Sequence, residues 1–236
     1  MEDFTRTVLD RLAHRIDAAP VDQLPSDNIY MEDVFEPAFY EQIINRLPAS
    51  KAYDFIKHPD ADLPDGTSTR KLLAVGPDTL DRLEPENRDF WKRLCEDLTS
   101  GALINALIKK FQTKIQVRFP GSLPDLIMVP VLYRDYPGYR ITIHPDAEYK
   151  IATMQFYLPR DHSQIHLGTS FHQKEGDHFR LLKTNPFKPN SAYAFARTDE
   201  SWHSVNQMAA RESVRDTLAL TLYIKGTEYR SSRKYE

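Results

Sequence analysis

Apolar residues in the first half of the chain return every three to four positions, and in the second half every second position. Phe4, Val8, Leu9, Leu12 and Ile16 fall on one face of a helix with charges between them, and Pro20 closes it. Residues 29–35 read as a short strand. A second helix is expected over about 37–47, with Phe39, Ile43, Ile44 and Leu47 on one side and Pro48 beyond. Residues 57–69, rich in Pro, Asp, Gly and Ser, read as an exposed loop. A long helix is expected over about 87–111, its stripe being Phe90, Trp91, Leu94, Leu98, Leu103, Leu107 and Ile108, with Ser100-Gly101 as a breaking point.

From about Leu126 the alternation predicts eight short strands, at 126–134, 139–146, 151–159, 165–171, 177–183, 191–197, 202–206 and 214–224. Turn chemistry separates them, as at Tyr136-Pro137-Gly138 and Asn185-Pro186. No helices lie between the strands, so the expected class is mainly β with α, a two-sheet roll preceded by helices.

Composition narrows the picture. A hydrophobic share of 41% is enough for a substantial core. With 31 basic and 34 acidic residues there is no basic stripe, so no nucleic-acid partner is expected. No apolar run approaches the roughly 20 residues of a spanning helix, so no membrane partner is expected either. The acidic start, Met1-Glu2-Asp3-Phe4, lacks the pattern of a signal peptide, and the single Cys95 suits a reducing compartment. The expected location is cytoplasmic.

Candidate chemistry lies at the ends of the predicted strands. His144-Pro145-Asp146 ends an alternating segment, and His203 follows much later. Two imidazoles and one carboxylate can hold Fe(II) on one face of its octahedron and leave positions open for a co-substrate and O2. A His-x-Asp arises by chance in about a third of chains with this many histidines, and the chain holds a second copy, His58-Pro59-Asp60. That copy sits in the Asp/Pro-rich loop and reads as solvated. Residues two apart on a strand share a face, so a strand end can aim His144 and Asp146 together. His162, His166, His172 and His178 compete with His203 for the third position but read as ordinary surface or loop histidines.

On the last strand, parity puts Leu218, Leu220, Leu222 and Ile224 on a packing face. Arg215, Thr217, Ala219, Thr221 and Tyr223 fall on the other. The planar fork of Arg215 suits the far carboxylate of a keto acid; Arg211, just outside the strand, is the runner-up. Gln155, with Thr153 and Tyr157, lies on the more polar face of its strand and is a further co-substrate candidate. Arg140 is a candidate contact for an anionic substrate. Lys150 and Arg197 read as surface charges, and Tyr133, Tyr136 and Trp202 as packing around the metal.

These motifs together resemble the Fe(II)/2-oxoglutarate-dependent oxygenase superfamily: Tyr136-Pro-Gly138, His144-x-Asp146, Gly168-Thr169, Trp202-His203 and Arg215-x-Thr217. The resemblance implies a double-stranded β-helix (jelly roll). Residues 123–236 would form the roll, and residues 1–122 its largely helical support within one domain. It implies His144, Asp146 and His203 as metal ligands, and Fe(II) with 2-oxoglutarate as co-substrate, its distal carboxylate on Arg215 and Thr217. It also implies consumption of O2 and decarboxylation to succinate coupled to oxidation of an unactivated C–H bond, usually hydroxylation. An aspartate at 146 disfavours halogenation, since halogenating relatives carry a small residue there. The expected partner is a small-molecule substrate, amino-acid-like or a natural-product intermediate, with a homodimer left open. The alternatives are a peptide hydroxylase or demethylase with the same chemistry, and a non-catalytic jelly-roll binding module.

Overall fold

The structure is a computed structural model that describes residues 2–58 and 60–228. Its elements run α1 (Glu2–Ala18), β1 (Asn28–Glu32), α2 (Pro37–Asn45), β2 (Asp54–Phe55), β3 (Arg70–Ala74), α3 (Pro77–Leu80), α4 (Pro85–Leu98), α5 (Gly101–Lys110) and α6 (Gln112–Arg118). There follow β4 (Leu126–Asp135), β5 (Ile141–His144), β6 (Lys150–Tyr157), β7 (Thr169–Glu175), β8 (His178–Thr184), β9 (Ser191–Ala196), β10 (His203–Val205) and β11 (Arg215–Ile224).

Two antiparallel sheets form the roll. The major sheet has the order β1-β9-β6-β11-β4-β3-β2 and the minor sheet β5-β10-β7-β8. All eight strands expected in the second half are present, with shifted ends. The first half departs further from its pattern. β2 and β3 extend the major sheet past β4, although no alternating pattern marks those residues. The helix expected over 87–111 is two helices, α4 and α5, broken next to Ser100-Gly101 as expected, and α6 follows beyond Phe111. No helix among the described residues is long and apolar enough to cross a membrane.

Alternation on the major-sheet strands divides the apolar residues between two cores. Met154, Phe156, Ala192, Ala194, Leu218, Leu220 and Leu222 face outward into a cluster with Leu12, Ile16, Trp91, Leu98 and Leu107 of the helices. The side chain of Phe4, placed on the same helical stripe by the sequence, lies outside the described residues. Proline at the first position of α2 and of α4 starts each helix where the amide would have no partner in any case. The indole of Trp91, fully buried, donates to the Arg46 carbonyl at 2.7 Å and ties α4 to the end of α2.

The opposite parity fills the space between the sheets with Tyr157, Tyr193, Phe195, Phe171, Phe187 and Leu167. Backbone packing is tightest at Gly168, just before β7. A Cβ there would lie 1.6 Å from the Asn185 carbonyl oxygen, so only glycine fits.

Candidate metal centre

His144 and His203 are direct cross-strand partners, on β5 and β10. In an antiparallel pair such partners stand about 5 Å apart at Cβ, and here their ring centroids are 4.4 Å apart. Asp146 follows two residues past His144, just beyond the strand. One ligand atom from each of the three residues lies within 4.8 Å of the other two, and this is the only such group among the described residues.

Both rings are fixed through Nδ1. His144 Nδ1 lies 2.8 Å from the Thr142 carbonyl and His203 Nδ1 2.8 Å from the Ser201 carbonyl. A carbonyl can only accept, so each Nδ1 carries the proton and each Nε2 is left as a lone-pair donor, the form a metal requires. Phe195 and Phe171 flank His203, which is 8% exposed. Burial, reinforced by the neighbouring His144, lowers its pKa to about 4, so it stays neutral.

The Asp146 carboxylate is held on both oxygens. Lys150 Nζ donates to Oδ1 at 2.6 Å and Thr153 Oγ1 to Oδ2 at 2.8 Å, while Arg197 Nε donates to the Asp146 backbone carbonyl at 2.9 Å. Burial alone would raise the Asp146 pKa, but Lys150 and the two histidines hold it well below the usual carboxylate range. Lys150 and Arg197 are therefore parts of the centre rather than surface charges. Their role was hidden because the contact of residue 150 with 146 crosses a turn into β6.

The first His-Pro-Asp copy is also not a free loop. Asp60 Oδ2 accepts from the Thr142 amide at 3.0 Å and from the Thr142 hydroxyl at 2.8 Å. β5 is an edge strand, and Asp60 satisfies an amide on its open side. His58 Nδ1 accepts from the Asp60 amide at 3.1 Å, and His58 is not one of the three clustered ligands.

At the other end of the site, Arg215 is fully buried and paired in register with Asp135. Its Nη1 donates to Asp135 Oδ2 at 2.8 Å and its Nε to the Leu167 carbonyl at 2.8 Å, while Nη2 has no partner. Asp135 also accepts from Arg70 Nε at 2.7 Å, so one buried carboxylate lies between two arginines. The expected two-nitrogen fork of Arg215 is thus partly spent, and a single nitrogen remains for a ligand. The Thr169 hydroxyl, also buried, has no partner either. A buried donor without a partner costs on the order of 1–3 kcal/mol, so the orphaned Arg215 Nη2 and Thr169 Oγ1 fit an anionic group that would pair them.

Gln155 links this end to the rest of the wall. Its Nε2 donates to Thr217 Oγ1 at 3.0 Å, and its Oε1 accepts from Tyr193 OH at 2.8 Å. The Thr217 hydroxyl proton is left to point elsewhere.

The remaining candidates lie outside this constellation. Arg140 is exposed ahead of β5. Arg211 is exposed in the turn before β11. His162, His166 and His178 are exposed; His166 pairs with Glu212, and His178 lies 3.5 Å from Glu175. His172 is buried but bonds Ser204 at 2.8 Å. Trp202 packs on Phe179 of β8 at 4.8 Å, Tyr133 lies under the Arg70 guanidinium at 4.1 Å, and Tyr136 bonds Ser50, so none of the three packs on the triad rings.

No family model and no curated protein sequence matches the chain. Solved structures do match it over nearly its whole length. A prolyl hydroxylase from Trichoplax adhaerens, in complex with a hypoxia inducible factor oxygen degradation domain peptide fragment, aligns at TM-score 0.54 and 14% identity, covering 98% of this chain and 95% of that one. A Pseudomonas putida prolyl-4-hydroxylase aligns at TM-score 0.50 and 14% identity, covering 91% and 99%. An oxidoreductase of the 2OG-Fe(II) oxygenase family from Burkholderia pseudomallei aligns at TM-score 0.48 and 11% identity, covering 92% and 89%. The two sheets, their order and the matches to the two prolyl hydroxylases make the fold the jelly roll of the Fe(II)/2-oxoglutarate oxygenases.

Proposed function

We propose that the chain is an Fe(II)/2-oxoglutarate-dependent oxygenase that hydroxylates an unactivated C–H bond of a small molecule. The observation that carries this reading is the convergence of the His144, His203 and Asp146 ligand atoms within 4.8 Å, with both imidazole Nδ1 atoms already engaged by carbonyls. Two nitrogen donors and one carboxylate on adjacent strand ends suit a ferrous ion and leave its other face open. Bound there, iron with 2-oxoglutarate and O2 supplies the oxidising power, and the co-substrate leaves as succinate and CO2.

The chain's own part is to hold and to exclude. The Thr142 and Ser201 carbonyls fix both rings, and Lys150 and Thr153 fix the carboxylate. Arg215 Nη2 and the Thr169 hydroxyl are assigned to the distal carboxylate of 2-oxoglutarate. The Thr217 hydroxyl, positioned by Gln155, is assigned as an additional donor to it. Tyr157, Phe171, Phe187, Tyr193 and Phe195 wall the interior and keep water from it.

Calorimetric titration of 2-oxoglutarate into the Mn(II)-loaded protein tests the reading. Binding is expected to require the metal, to weaken about tenfold in Thr217→Val, and to vanish in Asp146→Ala. Absent or metal-independent binding would overturn it.

A further inference from the structure

On its inner face the major sheet is built from cross-strand rows. They are Ile127–Tyr223–Lys150, then Val129–Thr221–Thr153–Phe195, then Val131–Ala219–Gln155–Tyr193, then Tyr133–Thr217–Tyr157. The β6 and β9 ends of these rows lie beneath the minor sheet: Gln155, Tyr157, Tyr193 and Phe195 are all buried. The β4 end differs. Ile127, Val129 and Val131, with Leu72 of β3 beside them, are apolar and only half-buried, and they belong to neither core cluster. Half-exposed and outside both clusters, these side chains make this half of the wall an apolar shelf.

Lys150 stands at the inner edge of the shelf, in the first row. Its ammonium has one hydrogen-bond partner among the described residues, Asp146 Oδ1 at 2.6 Å, which leaves two of its three protons unused. The lysine side chain is 20% exposed and shares its row with Ile127 of the shelf. Arg70 of β3, in contrast, already pairs with Asp135. Charge bookkeeping points the same way. A ferrous ion, Asp146, Lys150 and the chelating carboxylate of a keto acid together leave one positive charge in a largely buried site, and a monoanion would neutralise it.

We propose that the shelf is the substrate subsite and that it takes an organic anion with an apolar body. The body lies on Ile127, Val129, Val131 and Leu72, and the anionic head pairs with the Lys150 ammonium. That pairing brings the C–H bonds next to the head beside the triad. The assignment rests on the oxygenase reading of the same site and gives it a substrate class.

The test compares octanoate, octanol and octylamine, titrated anaerobically into the protein loaded with Mn(II) and 2-oxoglutarate. Octanoate is expected to bind about tenfold more tightly than octanol, and octylamine not to bind. Lys150→Met, titrated at Mn(II) and 2-oxoglutarate concentrations that keep it loaded, is expected to abolish the preference for octanoate over octanol. Lys150→Arg is expected to keep the preference, and Val131→Asp to weaken both ligands. Equal binding of octanoate and octanol, or a preference that survives in Lys150→Met, overturns the proposal. Failure of the oxygenase reading is scored separately, by loss of metal-dependent 2-oxoglutarate binding. In that case the octanoate comparison is made on the protein without metal and co-substrate, and the same two outcomes decide it.

Discussion

His-Pro-Asp occurs twice in this chain, at 58–60 and 144–146, and the two copies have different roles. The second copy ends β5 directly opposite His203, so the strand ladder delivers a second imidazole to it. The first lies between β2 and β3 and is not part of a three-ligand group among the described residues; its aspartate turns instead onto Thr142. The cluster of three potential ligands is therefore specified by cross-strand register and not by the tripeptide. The first copy still bears on the second, because Asp60 holds Thr142, whose carbonyl in turn orients His144.

The contrast can be broken in steps. His144→Ala or Asp146→Ala removes a ligand and is expected to weaken Mn(II) binding by more than about 100-fold, beyond the roughly 10–100-fold typical of an outer partner. Asp60→Ala, one bond further out, should weaken it about tenfold, at the low end of that range. Asp60→Asn keeps an acceptor oxygen for Thr142 and should fall between Asp60→Ala and wild type. His58→Ala should leave metal affinity unchanged within about twofold. It removes the bond from the Asp60 amide, a stability cost of about 1 kcal/mol readable as a small fall in Tm. Metal titration by calorimetry orders all of these. If His58→Ala proved as damaging as Asp146→Ala, the two copies would not differ as described.

The same contrast explains what the sequence could convey. Period-two alternation located every strand of the roll from β4 onward, and parity on β11 separated Leu218, Leu220 and Leu222 from Arg215 and Thr217. Such signals are local. β2 has only two residues, both exposed, and β3 reads Arg-Lys-Leu-Leu-Ala without alternation, so neither announced itself. The pairing of Arg215 with Asp135 depends on the register of strands 80 positions apart, which no local pattern carries. Lys150 and Asp60 reach the site through a turn and a loop, where side-chain direction follows no period. The apolar shelf joins residues of β3 and β4 to Lys150 of β6 through the register of the major sheet, and that is a property of the assembled roll.

The most direct measurement is spectroscopic. Fe(II) and then 2-oxoglutarate are added anaerobically to the wild-type protein. The weak visible charge-transfer band of an iron-chelated keto acid is expected to appear, and to be absent from Asp146→Ala. A protein that binds both Fe(II) and 2-oxoglutarate but gives no band, or a band that persists in Asp146→Ala, would contradict the assignment of His144, Asp146 and His203 as the iron site.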